Sequence, residues 1–123
     1  MKINFLNSHR VSLNIIILSL FLAILSSCVS PTKYYWGEYE NILYTQSQEP
    51  GRATPEYQIE KLQSDIQIAA SKGKPLPPGF YAHLGYQYLQ IGKAGDARKY
   101  FTAEKMAFPE STVLMNRFIA KLK

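Results

Sequence analysis

The feature that most constrains the fold of this chain is a short apolar run near its start. The run is predicted to belong to a segment that is cleaved from the mature protein. The run extends from Val11 to Leu25, and Lys2 and Arg10 make the residues before it positive. A positive start, about 7–15 apolar residues and then small residues are typical of a cleaved secretory signal. A retained transmembrane helix needs about 20 apolar residues, and three polar residues interrupt this shorter run. The run therefore predicts a signal peptide over residues 1–27.

The end of the apolar run resembles the lipobox of bacterial lipoproteins. The residues there are Leu25, Ser26, Ser27 and Cys28, and Cys28 is the only cysteine of the chain. In that motif, small side chains let the signal peptidase reach the backbone, and the cysteine sulfur accepts diacylglycerol. The resemblance implies that acylated Cys28 becomes the N-terminus of the mature protein. Its acyl chains would anchor the protein to a membrane without crossing it.

The residue after the cysteine bears on which membrane holds the anchor. In Gram-negative lipoproteins an Asp at this position marks retention at the inner membrane, whereas this chain has Val29. For a Gram-negative host, the resemblance implies the outer membrane, with the protein facing the periplasm. Loss of Lys2 and Arg10 lowers the net charge from +5 to +3. We expect no nucleic-acid partner after export, and solvated lysines explain the remaining charge.

The mature chain is predicted to form one small helical domain. Removing residues 1–27 from the 123 leaves 96 residues, and the lone cysteine excludes an internal disulfide. Residues 28–33 read as a lipidated tether, 34–53 as an aromatic helix with its loop, and 54–123 as the helical domain. Apolar residues recur every three or four positions, and no alternating strand pattern occurs. The sequence predicts an all-α fold built as a short stack of helical hairpins.

The spacing also predicts individual helices and their inner faces. After the aromatic helix, helices are expected over about 54–72, 78–91, 95–108 and 112–122. Thr54 and Pro55 suit the start of the first of these, and Gly73 suits its end. One face of the aromatic helix is predicted to carry Tyr35, Tyr39, Leu43 and Tyr44. The inner face of the last helix is predicted to carry Leu114, Phe118, Ile119 and Leu122.

A set of regularly spaced residues occurs in the helices predicted over 78–91 and 95–108. Its members are Tyr81, Leu84, Gly85, Tyr88, Ala97, Phe101 and Pro109. They resemble the tetratricopeptide repeat, a helical hairpin with the pattern W-x₂-L-G-x₂-Y, A-x₃-F and P. The resemblance implies a packing role, in which Gly85 lets the helices approach and Phe101 closes the hairpin. Tyr81 departs from the pattern, and Glu104 stands where a small residue is expected. An ordinary helical hairpin is the alternative.

Longer stretches resemble a family of small uncharacterised bacterial lipoproteins. They are YYWGEYENILY, PGRATPEYQIEKL, and the part from GKPLPPG through HLGYQYLQIG to AFPES. The resemblance spans nearly all of the mature chain and implies a lipoprotein with a repeat-like fold, but no reaction. Members tend to be encoded beside other lipoproteins, including ones that resemble the curli secretion pore. This context implies a shared envelope assembly.

The residues do not supply the groups that an enzyme would need. Acylation would consume Cys28, and His83 is the only histidine after the predicted signal. Since no nucleophile–base pair, metal-ligand set or phosphate-binding loop is apparent, we predict no enzyme, no cofactor and no small-molecule substrate. We expect a scaffold subunit that binds another envelope protein. Self-association, a peptidoglycan-docking module and an accessory cell-wall hydrolase are the alternatives.

Two parts of the sequence are candidates for the partner surface. By the geometry of the repeat, one helix face would present Ala82, His83, Tyr86, Leu89 and Gln90. The aromatic cluster over residues 34–39 has three interpretations. It packs in the core, lies in the lipid interface beside the anchor, or contacts a partner.

Overall fold

The computed structural model describes residues 13, 15–19, 32–49 and 51–122, and the chain forms two compact units, residues 1–32 and 33–123. In the first unit residues 15–19 are helical, and their side chains are exposed. Among the described residues, no helix is long and apolar enough to span a membrane. The predicted lipidation motif lies outside the described residues; it consists of Leu25, Ser26, Ser27 and Cys28. The sorting position, Val29, also lies outside them.

All regular structure in residues 32–49 and 51–122 is helical, which confirms the predicted all-α fold for this part of the chain. The elements are α1 (Tyr39–Gln48), α2 (Pro55–Ser71), α3 (Phe80–Gln90), α4 (Ala94–Ala107), a 3₁₀ turn (Pro109–Ser111) and α5 (Thr112–Lys121). The helix ends predicted for α2 to α5 agree with these bounds to within two residues.

The start and end of α2 follow directly from local sequence. Thr54 has extended backbone angles, and its hydroxyl oxygen accepts a hydrogen bond from the Tyr57 N–H at 3.3 Å. Pro55 occupies the first helical position, where no N–H is needed. Gly73 follows the last turn with φ +60°, a left-handed conformation that ends helices and favours glycine. The capping residues therefore fix both ends of this helix.

The α3–α4 hairpin is tightly packed where the two helices cross. A Cβ atom on Gly85 would lie 2.8 Å from the Phe101 ring and 3.2 Å from the Ala97 carbonyl oxygen. Further along the hairpin, the Tyr88 ring stacks on Tyr100 with centroids 5.4 Å apart. Since real Cβ atoms do not approach other atoms so closely, only glycine fits at the crossing. This position sets the distance between α3 and α4.

The inner face of α5 differs by one residue from the predicted one. Met115 is buried, whereas Leu114 is 51% exposed. Phe118 packs against the core and stacks on Phe101 of α4 with centroids 5.3 Å apart. At 100° per residue, Leu114 lies about 100° from Met115 but only about 40° from Phe118, which places it at the edge of the buried face. Both residues are apolar, so contact with α4 decides which one is inside.

Of the four residues predicted to share one face of α1, only Tyr35 and Tyr39 pack in or against the core. Because α1 begins at Tyr39, Tyr35 lies before the helix rather than on it. Tyr39 and Ile42 are buried, whereas Leu43 is exposed and Tyr44 is 67% exposed. Most of the ten residues of this helix are polar, so too few apolar residues remain for their spacing to indicate which face of the helix is buried. The buried pair that holds α1 to the domain is therefore at its amino-terminal end.

Candidate functional site

The aromatic segment before α1 is held against α2 and the loop that follows α2. The Tyr35 N–H donates a 2.9 Å hydrogen bond to the Pro75 carbonyl oxygen, and the Lys72 ammonium lies 4.8 Å from the centre of the Tyr35 ring. Trp36, at the edge of this segment, stacks on Tyr39 at 6.3 Å. These contacts favour the core interpretation of the cluster over the lipid and partner interpretations, with Tyr39 as its buried member.

Asp65 of α2 closes the amino-terminal end of α1. Its carboxylate is almost fully buried and accepts a 2.8 Å hydrogen bond from the Glu38 N–H. Gly37 has φ +50°, and a Cβ atom there would collide with the Asp65 carboxylate. Burial raises the pKa of Asp65, while the hydrogen bonds from Glu38 and Tyr35 partly oppose that rise. The Asp65 carboxylate therefore stabilises the start of α1.

Glu104 of α4 closes the start of α3 in the same way. Its two carboxylate oxygens accept hydrogen bonds from the Gly79 N–H at 2.7 Å and the Ala82 N–H at 3.3 Å. The side chain is almost fully buried. The first N–H groups of a helix have no partner within the helix and carry partial positive charge. This role explains why Glu104 replaces the small residue that the repeat pattern expects.

His83 belongs to an internal polar network rather than to an open surface. Gln58 of α2 donates through Nε2 to the Ala53 carbonyl oxygen at 2.6 Å, so its oxygen faces His83 Nε2, also at 2.6 Å. His83 Nε2 donates to Gln58 when it carries the ring proton and accepts from the Gln87 side-chain amide when it does not, so the tautomer decides which of the two hydrogen bonds forms. The side-chain amide of Gln87 lies 3.1 Å from the same nitrogen. Burial lowers the pKa of His83.

The other residues predicted for the partner face divide between exposed and half-buried. Tyr86 is 44% exposed, and Leu89 and Gln90 are also exposed. Ala82 and His83 are half-buried. The part of the predicted face that solvent reaches freely is therefore the carboxyl-terminal half of α3.

The residues that match the repeat pattern lie mainly in the core of the α3–α4 hairpin. Those buried are Leu84, Gly85, Tyr88, Ala97 and Phe101. Tyr81 is half-buried against the core, and Pro109 is exposed at the start of the 3₁₀ turn. The set therefore spans both helices of the hairpin and the turn that follows them.

An apolar groove between α2 and α4 was not expected from the sequence. It has a volume of about 500 Å³ and is lined by Ile66, Tyr81, Lys99, Tyr100, Ala103, Met106 and Ala107. Met106 is 77% exposed, which is unusual for a large apolar side chain. Ala103, Met106 and Ala107 follow helical spacing and form a second apolar stripe on α4, apart from the one that Ala97 and Phe101 bury. That stripe is the sequence signal for the groove.

A second cavity lies between α1 and the start of α2. Its volume is about 360 Å³, and its lining residues are Asn41, Tyr44, Thr45, Gln48, Glu49, Arg52 and Tyr57. Arg52 donates a 2.8 Å hydrogen bond to the Glu49 carboxylate, and the Arg52 N–H donates to the Glu49 carbonyl oxygen at 2.9 Å. The hydrogen bond and charge of Glu49 raise the pKa of Arg52. We call this cavity the α1/α2 pocket.

Comparison with known families gives one match. The model of a domain of unknown function, DUF4810, matches residues 33–118, which run from the first residue of the second compact unit into α5. No curated protein and no solved structure matches the chain. In the part of the chain that the structure describes, no group of three or more His, Cys, Asp or Glu residues could hold a metal ion. Every buried side-chain nitrogen or oxygen there has a hydrogen-bond partner.

Proposed function

Because this chain belongs to the DUF4810 family of domains of unknown function, we propose a role from the surface of the domain itself. It is a lipid-anchored envelope protein, and its helical domain binds a second envelope protein as a scaffold subunit of an assembly. The observation that carries the proposal is the apolar groove between α2 and α4. The buried polar residues of the domain, in contrast, stabilise the fold. Asp65 and Glu104, for example, each accept a hydrogen bond from a backbone N–H at the start of another helix.

The groove has the properties of a surface that receives an apolar segment of another protein. Tyr100 forms a nearly buried wall, and Met106 stands exposed at the edge. Large apolar side chains left exposed around a concavity mark interaction sites. Methionine is flexible and polarisable and adapts to different partner surfaces. An amphipathic helix would fit such a groove with its apolar face inward.

The charge at the groove indicates which charge the partner should carry beside its apolar face. Lys99 is the one charged residue in the lining. An acidic residue at the edge of the partner's apolar face would pair with it and set the direction of binding. Lipoproteins that resemble the curli secretion pore are the candidate partners that the family resemblance implies.

The anchor is the second part of the proposal. It rests on the position of Cys28, the only cysteine, directly after the residues that resemble a lipobox. The Cys28→Ser variant is expected to lose acylation and to accumulate as the larger precursor. Metabolic labelling with a fatty-acid analogue and the electrophoretic mobility of the protein measure both effects. Normal processing of the variant would contradict the anchor.

The groove is tested by crosslinking in cells with the full, acylated chain. A photoreactive amino acid at Met106 is expected to crosslink to one stoichiometric envelope protein, identified by affinity purification from solubilised membranes. The same substitution at Tyr86 on α3 is the matched control, because that residue is exposed on the surface that the repeat geometry predicted. Crosslinks from Tyr86 alone would move the partner to α3. Crosslinks only between copies of the chain would replace the scaffold role by self-association.

A further inference from the structure

The α1/α2 pocket differs chemically from the apolar groove. Every one of its seven lining side chains carries a hydrogen-bonding group, and two of them, Tyr44 and Tyr57, are also aromatic. Tyr44 is 67% exposed and Tyr57 is 38% exposed. The Lys61 ammonium lies over the Tyr57 ring, 5.6 Å from its centre, so the Tyr44 ring is the more open of the two to a ligand. The volume of about 360 Å³ falls in the range of small-ligand sites, roughly 300–1,000 Å³.

The spacing of the lining residues shows that one face of α1 is devoted to this pocket. Asn41, Tyr44, Thr45 and Gln48 follow the i, i+3, i+4, i+7 pattern of a single helix face. The apolar pair that attaches α1 to the core, Tyr39 and Ile42, lies outside this set. A polar stripe that lines a concavity can form several hydrogen bonds to one ligand at once.

The charges in the pocket favour a neutral ligand. Its two charged residues, Arg52 and Glu49, form a 2.8 Å ion pair with each other. Because they neutralise each other, the pocket offers no excess charge to a phosphate, a carboxylate or a metal ion. The pair leaves further N–H groups on Arg52 and a second oxygen on Glu49, which can donate and accept hydrogen bonds side by side.

We propose that the α1/α2 pocket binds a saccharide. A sugar ring has C–H groups on its flat faces and hydroxyl groups around its edge. The C–H face is attracted to the negative face of an aromatic ring, which Tyr44 and Tyr57 supply. Neighbouring hydroxyls pair with planar groups that donate or accept two hydrogen bonds together, and Asn41, Arg52 and Glu49 are such groups.

The structure assigns the ligand only to the class of saccharides, and a saccharide could come from two sources. One is the glycan of the cell wall, built of N-acetylated amino sugars, and the other is an oligosaccharide of ordinary hexoses. The site does not depend on the apolar groove or on the lipid anchor, so it goes beyond the proposed function. Failure of either proposal leaves the other standing.

The test uses the full acylated protein in a zwitterionic detergent without a sugar head group. Titrations by calorimetry and saturation-transfer NMR use the N-acetylglucosamine tetramer in one arm and maltotetraose in the other, and purified sacculi are used in a pelleting assay. Saturable binding in either oligosaccharide arm is expected, and binding to the tetramer and sacculi alone would identify the cell wall as the source. Absence of binding in all three arms would overturn the proposal.

Three variants locate the binding. Tyr44→Ala and Tyr57→Ala are expected to weaken binding about tenfold each, which is the effect of losing one ring contact of about 1.4 kcal/mol. Tyr86→Ala, at a similarly exposed tyrosine on α3, is the matched control and is expected to bind normally. Because the Tyr44 side chain is mostly exposed, its removal leaves the fold intact, which circular dichroism checks. Unchanged binding by Tyr44→Ala, or equal loss in Tyr86→Ala, would refute the site.

Discussion

The carboxylate of Glu104 accepts a 2.7 Å hydrogen bond from the backbone N–H of Gly79, across 25 residues of sequence. The bond joins the last part of α4 to the beginning of α3 and fixes the open end of the hairpin. Asp65 makes the equivalent contact with the Glu38 N–H across 27 residues. In both cases a buried acidic side chain from one helix satisfies the positive end of another.

Removal of the Glu104 carboxylate is expected to destabilise the domain strongly. In the Glu104→Ala variant, the partly buried N–H groups of Gly79 and Ala82 lose their partner, which lowers the free energy of unfolding by about 2–3 kcal/mol. Urea denaturation followed by circular dichroism measures the change. Glu60→Ala on the exposed face of α2 is the control, with an expected change below about 0.5 kcal/mol. Equal effects of the two variants would contradict the capping role.

Two glycines should respond in opposite ways to the same substitution. Gly85→Ala places a methyl group 2.8 Å from the Phe101 ring, and the resulting overpacking lowers the unfolding free energy by about 1–3 kcal/mol. Gly95→Ala in α4 has open space around it and is expected to stabilise the domain by up to about 1 kcal/mol, because alanine favours helix. Thermal and urea unfolding of both variants test the pair. A stabilising Gly85→Ala would show that the hairpin can separate without strain.

Asp65 is expected to make the domain less stable as pH rises above the ordinary aspartate range. Because burial raises its pKa, the folded state binds the Asp65 proton more tightly than the unfolded state does. Its contribution is complete below about pH 4 and is lost as pH rises through the raised folded-state pKa. Urea unfolding of the wild type and Asp65→Asn between pH 4 and 7 measures this. A pH-independent difference between them would contradict it.

His83 is expected to make the domain less stable as pH falls, which is opposite to the effect of Asp65. Because burial lowers its pKa, the unfolded state binds the His83 proton more tightly. The contribution is complete above about pH 6.5 and is lost as pH falls through the lowered folded-state pKa. His83→Gln in the Asp65→Asn background isolates this effect, and the double variant should lose less stability than Asp65→Asn between pH 7 and 5. A ring pKa at or above 6.5 by NMR would exclude the mechanism.

The sequence predicted the helices where local signals were strong. Thr54, Pro55 and Gly73 define α2 without reference to the rest of the fold, and the spacing from Leu84 to Phe101 gives the hairpin. Local signals were weak in α1, where only Tyr39 and Ile42 are buried, and in α5, where Leu114 and Met115 are both apolar. Contacts with other helices decide those orientations.

The polar residues were harder to predict, because a hydrophobic pattern places polar residues outside. Asp65, Glu104 and Gln58 are buried, and each has a hydrogen-bond partner at least 25 residues away: the Glu38 N–H, the Gly79 N–H and the His83 ring. Such pairs cannot be recognised before the tertiary fold is known. The two candidate binding surfaces were missed for a related reason, since each combines residues from more than one helix.

The attachment of α1 through its first turn has a consequence for its motions. Tyr39, Ile42 and the bond from Glu38 to Asp65 hold that turn, whereas the residues from Leu43 to Gln48 are largely exposed. Local opening should therefore begin at the carboxyl-terminal end of α1, and its amides should exchange with solvent deuterium faster than the amide of Ile42. A saccharide bound to that end would slow this exchange, so isotope uptake along one short helix would report occupancy residue by residue.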